Sequence, residues 1–302
     1  MSGRPYLDAG DLAGLLGFGS RALARRFPLS ANWHPGDFVW ELRGGYDAPQ
    51  PIRMWDDASG VAAVGWMTEP GRLWLETLPE REGLVGEMVA WGEGVAAATG
   101  LSIRAFDSDT TRVGALERLG YRRTAPQGVF FRMDLASPPQ VFDPPRGFHV
   151  RDSVGIDPER RAAAHRDAWN DLSRIGLPDV RSTFSAELYL SLRAAPAPVY
   201  DPALDLLVEG PDGALVANAV CWADAASGVG VFEPVGTHAA FRGRGLARLA
   251  ILEGCRRLRD RGHRWARVGT AHYNAPAISA YLSCGFELYD RASWWTKSSL
   301  NR

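Results

Sequence analysis

The chain has 302 residues, with 34 Lys and Arg against 35 Asp and Glu, a net charge of −1 and a 46% hydrophobic content. That length favours two domains over a single core, and the composition is that of an ordinary globular protein. A balanced charge argues against a surface given over to nucleic acid, no apolar run is long enough to span a bilayer, and the N-terminus lacks a secretory leader pattern.

In chain order, the first half shows a turn-like Glu80-Arg81-Glu82-Gly83-Leu84-Val85, a strand over Leu101–Phe106, a helix leading to Leu119-Gly120-Tyr121, and a strand over Val129–Met133. The Pro-rich run Ser137–Pro145 follows and reads as a semi-rigid linker. Domain bounds of 1–136 and 147–302 around a linker at 137–146 are expected. The second half opens on a short strand at Phe148–Arg151, with helices over Pro158–Leu172 and Thr183–Arg193. Strands are expected at Leu206–Glu209, Ala214–Trp222 and Gly230–Thr237. From Gly245 to Arg261 a long helix is predicted, with Leu249, Ile251, Leu252, Cys255 and Leu258 on one side and Glu253, Arg257, Asp260 and Arg261 on the other. A strand at Trp265–Thr270, a helix over Asn274–Cys284 and a last strand at Ser293–Thr296 close the chain.

The two halves end alike. Aligning Gly120 with Gly285, an offset of 165, sets Asp109 opposite Asn274 and Leu116 opposite Tyr281. An internal duplication of one α/β domain is the reading.

Arg242-Gly243-Arg244-Gly245-Leu246-Ala247 sits between a strand and a helix start. Unpaired N–H groups there carry partial positive charge, glycine allows close backbone approach, and arginine adds charge-assisted hydrogen bonds. This is a cradle for a phosphorylated ligand. A dinucleotide fingerprint fails, because its third glycine would fall at Arg248. Pro234 cannot donate to a ladder, so a bulge is expected in its strand. The histidines have no metal-ligand spacing and no metal is expected. Cys221, Cys255 and Cys284 form no CxxC and read as core residues of a cytoplasmic protein.

The spacing Arg242-x-x-Gly245-x-Ala247, with Asn274, Tyr281 and the order of elements in the second half, resembles the GNAT superfamily of N-acetyltransferases. The resemblance implies two tandem α/β domains, each a mixed, mostly antiparallel sheet flanked by helices. It implies acetyl-CoA as co-substrate, held by Val235, Thr237, Arg242, Gly243, Arg244, Gly245, Leu246, Ala247 and Asn274. Val235 and Thr237 would act through backbone groups exposed by the bulge. Tyr281 falls at the family's general-acid position, where a phenol protonates the departing thiolate. For the base, Glu233 shares a strand face with Val235, and His238 is the competitor. On the first helix, His165, Asp167, Trp169 and Asp171 fall in the region that often lines the acceptor site.

The first half departs from this pattern at each chemical position. Across the loop, at an offset of 162, Glu80 stands opposite Arg242 and Glu82 opposite Arg244, and at 165 Asp109 stands opposite Asn274 and Leu116 opposite Tyr281, so the loop would repel a diphosphate. The expected activity is acetyl transfer from acetyl-CoA to a primary amine, by direct attack in a ternary complex in the second domain, with no nucleic-acid or membrane partner. The alternative is a non-catalytic acyl-CoA sensor. Acceptor identity and oligomeric state carry no sequence signal.

Overall fold

Alternation of short apolar strands with amphipathic helices is realised throughout the computed structural model, which describes residues 3–27, 31–195 and 199–297. The elements are β1 (Gly3–Pro5), α1 (Ala9–Arg26), α2 (Pro35–Glu41), β2 (Ile52–Asp57), β3 (Gly60–Glu69), β4 (Arg72–Thr77), α3 (Val85–Val95), β5 (Ser102–Phe106), α4 (Thr110–Arg118) and β6 (Tyr121–Asp134). They continue with β7 (His149–Asp152), α5 (Pro158–Ala168), α6 (Ala186–Arg193), β8 (Asp205–Glu209), β9 (Leu215–Asp224), β10 (Val229–Thr237), α7 (Leu246–Asp260), β11 (Trp265–Ala271), α8 (Ala275–Ser283) and β12 (Glu287–Lys297).

The chain divides into two compact units. The first comprises Met1–Phe38, Tyr46–Phe130 and Tyr289–Arg302, and the second Val39–Gly45 and Phe131–Leu288. Although β12 lies in the second repeat of the sequence, most of it completes the first unit. It pairs antiparallel with β5 from Ala292↔Phe106 to Thr296↔Ser102. Among the described pairings, β4 runs parallel to β5 in the first unit and β10 parallel to β11 in the second, with antiparallel pairs around them.

The first unit's core gathers Trp55, Leu73, Leu75, Met88, Ile103, Leu116, Tyr121 and Trp295. Of the tryptophans before the linker, Trp33, Trp40, Trp55 and Trp66 are buried. In the second unit β9 is buried at every residue from Leu215 to Trp222, with both α5 and α7 packed against it. The buried face of α7 includes Leu249, Ile251, Leu252, Cys255 and Leu258, as its periodicity predicts.

The duplication is visible in backbone geometry. Asp109, capping α4, has φ −80° and ψ 70°, and Asn274, capping α8, has φ −81° and ψ 71°. Each side-chain oxygen accepts from the N–H three residues on, Arg112 in one case and Ala277 in the other. Gly120 and Gly285 then take positive φ values of 84° and 94° past the two helices.

Two helix bounds differ from the sequence reading. The helix predicted to reach Leu172 stops at Ala168, with Trp169 at its C-cap, and a separate 3-10 turn covers Leu172–Ile175. Asp171 between them is left-handed at φ 53°, a conformation no helix continues through. The helix expected from Thr183 begins at Ala186, because Ser185 caps it by accepting from the Leu188 N–H.

Candidate active site

Pro234 has the expected effect on its strand. The β10 register against β9 slips between Phe232 and Val235, and the Glu233–Pro234 peptide is cis. The bulge leaves the Glu233 carbonyl to accept from the Trp222 indole N–H at 2.5 Å. The parallel ladder of β10 with β11 has Phe232↔Val268 as its last pair. Past that point Val235, Gly236 and Thr237 border a cavity of about 930 Å³ within the second unit. Its other walls come from Phe142, the segments at 168–180 and 241–248, and residues between Ala271 and Ser283.

The loop entering α7 is shaped by two left-handed glycines, Gly243 at φ 79° and Gly245 at φ 77°. An added Cβ on Gly245 would also lie 2.8 Å from the Phe142 ring. Gly245 is the N-cap of α7 and offers no side-chain bond, so the first-turn N–H groups depend on another partner. Leu246 and Ala247, in that first turn, line the cavity. With Arg244 and Arg248 beside them, these groups suit a diphosphate. Arg244 lies with its guanidinium carbon 5.2 Å from the Phe241 ring centroid. Arg248 donates to Gln140 at 2.9 Å and sits 4.5 Å from the Phe142 ring centroid.

Arg242 is used differently from the other two. Its guanidinium donates to the carbonyls of Thr237 (3.2 Å), Asp171 (2.9 Å), Ala168 (3.0 Å) and Asn170 (2.5 Å). It borders the cavity while fastening the end of α5 to the loop. Asn274 combines two structural bonds, from the Ala277 N–H and to the Thr270 hydroxyl at 3.0 Å, with a place on the cavity wall.

Tyr281 is 6% exposed, lies between Phe131 and Phe286, and lines the cavity. Burial raises its phenol pKa far above the ordinary value, with the Glu233 carboxylate adding to the rise. The hydroxyl therefore keeps its proton at any working pH, the state a proton donor needs.

All nine residues expected to hold the donor, and Tyr281, border this one cavity; Glu233 does not. Glu233 is half-buried and close enough to Tyr281 and Arg43 to favour the neutral phenol of the one and the charged guanidinium of the other. His238 is also off the wall, and its Nδ1 accepts from the Ala240 N–H to cap a 3-10 turn.

Of the four residues expected near the acceptor, only Trp169 faces the cavity. His165 stacks behind it, with ring centroids 4.3 Å apart and planes 10° apart. Burial, reinforced by Arg161, Arg43 and Arg166, pushes the His165 pKa down to about 3. It is a neutral packing partner.

Two parts of the wall went unread in the sequence. Phe142 sits in a stretch whose prolines mark it as linker. Beyond Leu172, read as a helix end, the apolar Ile175, Leu177, Pro178 and Val180 follow no helical or strand period, and a lone apolar cluster in a loop was their only signal. Among the described residues no group of three or more His, Cys, Asp and Glu could hold a metal ion. No described helix is long and apolar enough to cross a membrane.

Residues 169–286 match the profile of the Acetyltransferase (GNAT) family. Mycothiol acetyltransferase of Thermobifida fusca (strain YX) is 40% identical over 62 residues, which are 20% of this chain and 19% of that protein. The match thus spans about a fifth of that curated relative. A tandem GNAT protein from the clavulanic acid biosynthesis pathway aligns over 100% of this chain and 99% of its own, with a TM-score of 0.65 and 18% identity. A GCN5-related N-acetyltransferase from Sphaerobacter thermophilus aligns over 98% and 95%, with a TM-score of 0.60 and 20% identity. At such identities the likeness is one of fold. The chain has the fold of the tandem GNAT proteins, and the match to the GNAT family model lies within its second half, at residues 169–286.

Proposed function

We propose that the second unit transfers the acetyl group of acetyl-CoA to an amine, by direct attack while both substrates are bound. One observation carries this reading. A single cavity joins an uncapped helix N-terminus with two left-handed glycines and the side chains of Arg244 and Arg248 to a buried tyrosine. The first feature suits the diphosphate of the donor, held by backbone groups of Gly243, Gly245, Leu246 and Ala247 with Arg244 and Arg248. Val235, Thr237 and Asn274 would meet the pantetheine arm, and Arg242 would shape the loop. Tyr281 would return a proton to the leaving thiolate. Glu233 would serve, through a water molecule, as base for acceptors that arrive as ammonium ions.

The first unit, in this reading, keeps the fold without holding a donor. A duplicated pair of repeats at 1–136 and 147–302 accounts for both. Three buried, unbridged cysteines suit a reducing, cytoplasmic setting.

The test is CoA release from acetyl-CoA with an amine panel, in the wild type and Tyr281→Phe. The variant is expected to lose about 100-fold or more in kcat, while acetyl-CoA affinity by calorimetry stays within about twofold of wild type. Donor binding with no CoA release from any amine would support a sensor instead.

A further inference from the structure

The cavity wall carries three cations, Arg242, Arg244 and Arg248, and among its described residues no aspartate, glutamate or histidine. Asp167 and Asp171, on the same stretch as Trp169, lie off the wall, and Asp171 pairs with Arg174 at 3.9 Å. A polycationic acceptor would therefore meet like charge and no counter-charge. Arg244 and Arg248 have a use of their own in the donor's phosphates and Arg242 is spent on backbone carbonyls, so they do not call for an anionic acceptor either.

The wall beside the bulged segment of β10 is largely apolar. Trp169 is held rigidly: His165 stacks on it, and an added Cβ at Gly236 would come within 2.6 Å of its ring. The Trp169 side chain thus lies directly against the bulged segment of β10. Leu172, Ile175, Leu177 and Val180 extend this surface. A rigid indole beside aliphatic side chains favours a flat apolar partner.

From these two features we propose that the acceptor is a weakly basic amine, uncharged at neutral pH, carried on an aromatic or otherwise apolar body. The inference rests on the acetyl-transfer reading above and narrows its substrate class. An alkylamine like that of lysine, with a pKa of about 10.4, is almost wholly ammonium at pH 7 and must lose a proton before attack. A weakly basic amine presents its lone pair at once, so a wall without carboxylate or imidazole suffices. The chemistry balances without a further reactant. The nitrogen lone pair forms the C–N bond as the C–S bond breaks, the sulfur leaves with the bonding electrons, and the proton lost by nitrogen is matched by the one gained by sulfur. No net proton appears in solution. An ammonium acceptor would release one per turnover.

The experiment compares 4-methoxyaniline, 4-methoxybenzylamine and spermidine as acceptors at pH 7, with CoA release and proton release followed together. The first two share an apolar ring, but only the benzylamine is mainly ammonium. The aniline is expected to be preferred in kcat/KM by about tenfold or more over the benzylamine, with no net proton released, and spermidine to be the poorest. Preference for spermidine or the benzylamine would overturn the inference and leave acetyl transfer standing. Acetyl-CoA binding with no acetylation of any of the three would also overturn it. Failure of acetyl-CoA to bind would instead remove the reading on which it rests.

Val180→Glu supplies a second arm. Val180 lines the cavity yet is 55% exposed, so a carboxylate there should not disturb folding. It is expected to narrow the aniline-to-benzylamine ratio by about threefold. An unchanged ratio in a folded variant would count against this wall as the acceptor surface.

Discussion

The loops at Glu80–Val85 and Arg242–Ala247 occupy corresponding places in two copies of one fold, and they treat charge in opposite ways. In the first, the carboxylates are already engaged by the protein's own arginines. Arg25 pairs with Glu80, and Arg26 pairs with Glu82, Glu76 (3.1 Å) and Asp109 (3.4 Å). Arg112, fully buried, pairs with Glu76 at 2.8 Å and Asp109 at 3.3 Å. Asp109 thus caps its helix as Asn274 does, and its extra charge belongs to an internal network. In the second loop α7 begins without a side-chain cap, Arg242 is turned to backbone carbonyls, Arg248 donates to Gln140, and Arg244 is exposed over the Phe241 ring. The same scaffold pairs its loop charges with one another in one copy and engages its loop cations with uncharged groups in the other.

Breaking the closed network should have the largest effect. Arg112→Ala leaves Glu76, 1% exposed, without its main buried counter-charge, and is expected to cost about 3–5 kcal/mol in chemical denaturation. A cost below about 1 kcal/mol would show that the network is not what closes the first loop.

The second unit keeps its buried titratable group neutral, and that gives it an acid limb. The unfolded chain takes up a proton at His165 near pH 6.5, whereas the folded chain does so only at about pH 3. Because the unfolded state binds more protons in that window, stability falls as pH falls through it. From His165 alone, folding should weaken by about 3 kcal/mol between pH 7 and pH 4. Denaturation curves at a series of pH values would show it, and His165→Phe should flatten that part of the dependence.

The glycines at matching loop positions should respond unequally. Gly83 lies in a 3-10 turn at ordinary φ, with nothing within 4 Å of an added Cβ. Gly83→Ala is therefore expected to stay within about 0.5 kcal/mol of wild type. Gly245→Ala meets both the positive φ and the Phe142 ring, and should cost about 1–3 kcal/mol along with donor affinity. Equal effects would mean that the two loops are not shaped as differently as their backbones are.

The smallest expected change is confined to binding. Arg244→Ala, at an exposed position, should leave the melting temperature nearly unchanged and weaken acetyl-CoA by about tenfold in calorimetry, the worth of one charge-assisted hydrogen bond. No change in affinity would transfer the cationic role to Arg248 and the backbone.

Much of the fold was legible because its signals are local. Asn274 and Asp109 announce helix starts through side-chain caps, and Gly120 and Gly285 announce helix ends through positive φ. Pro234 announces a bulge through its missing donor. Each depends on a few neighbouring residues, so spacing alone carries it. The glycine-shaped loop was legible for the same reason.

Charge and side-chain use were not. The spacing of Arg242 places it in the cradle, yet its guanidinium reaches carbonyls about 70 residues away in sequence. Glu233 shares a strand face with Val235 on paper, but a bulge between Phe232 and Val235 breaks the period-two alternation on which that argument stands. Phe142 looks like spacer until its ring is found against Gly245, and β12 looks like the close of the second repeat until its partner is seen to be β5. The two copies, their turns and the glycine-shaped loop can be read from spacing alone, because short-range sterics and hydrogen bonding set them. Which charges are already paired, which side chains reach the cavity and which unit each strand completes emerge from the folded chain. Those depend on residues far apart in the chain, and no local spacing records which of them meet.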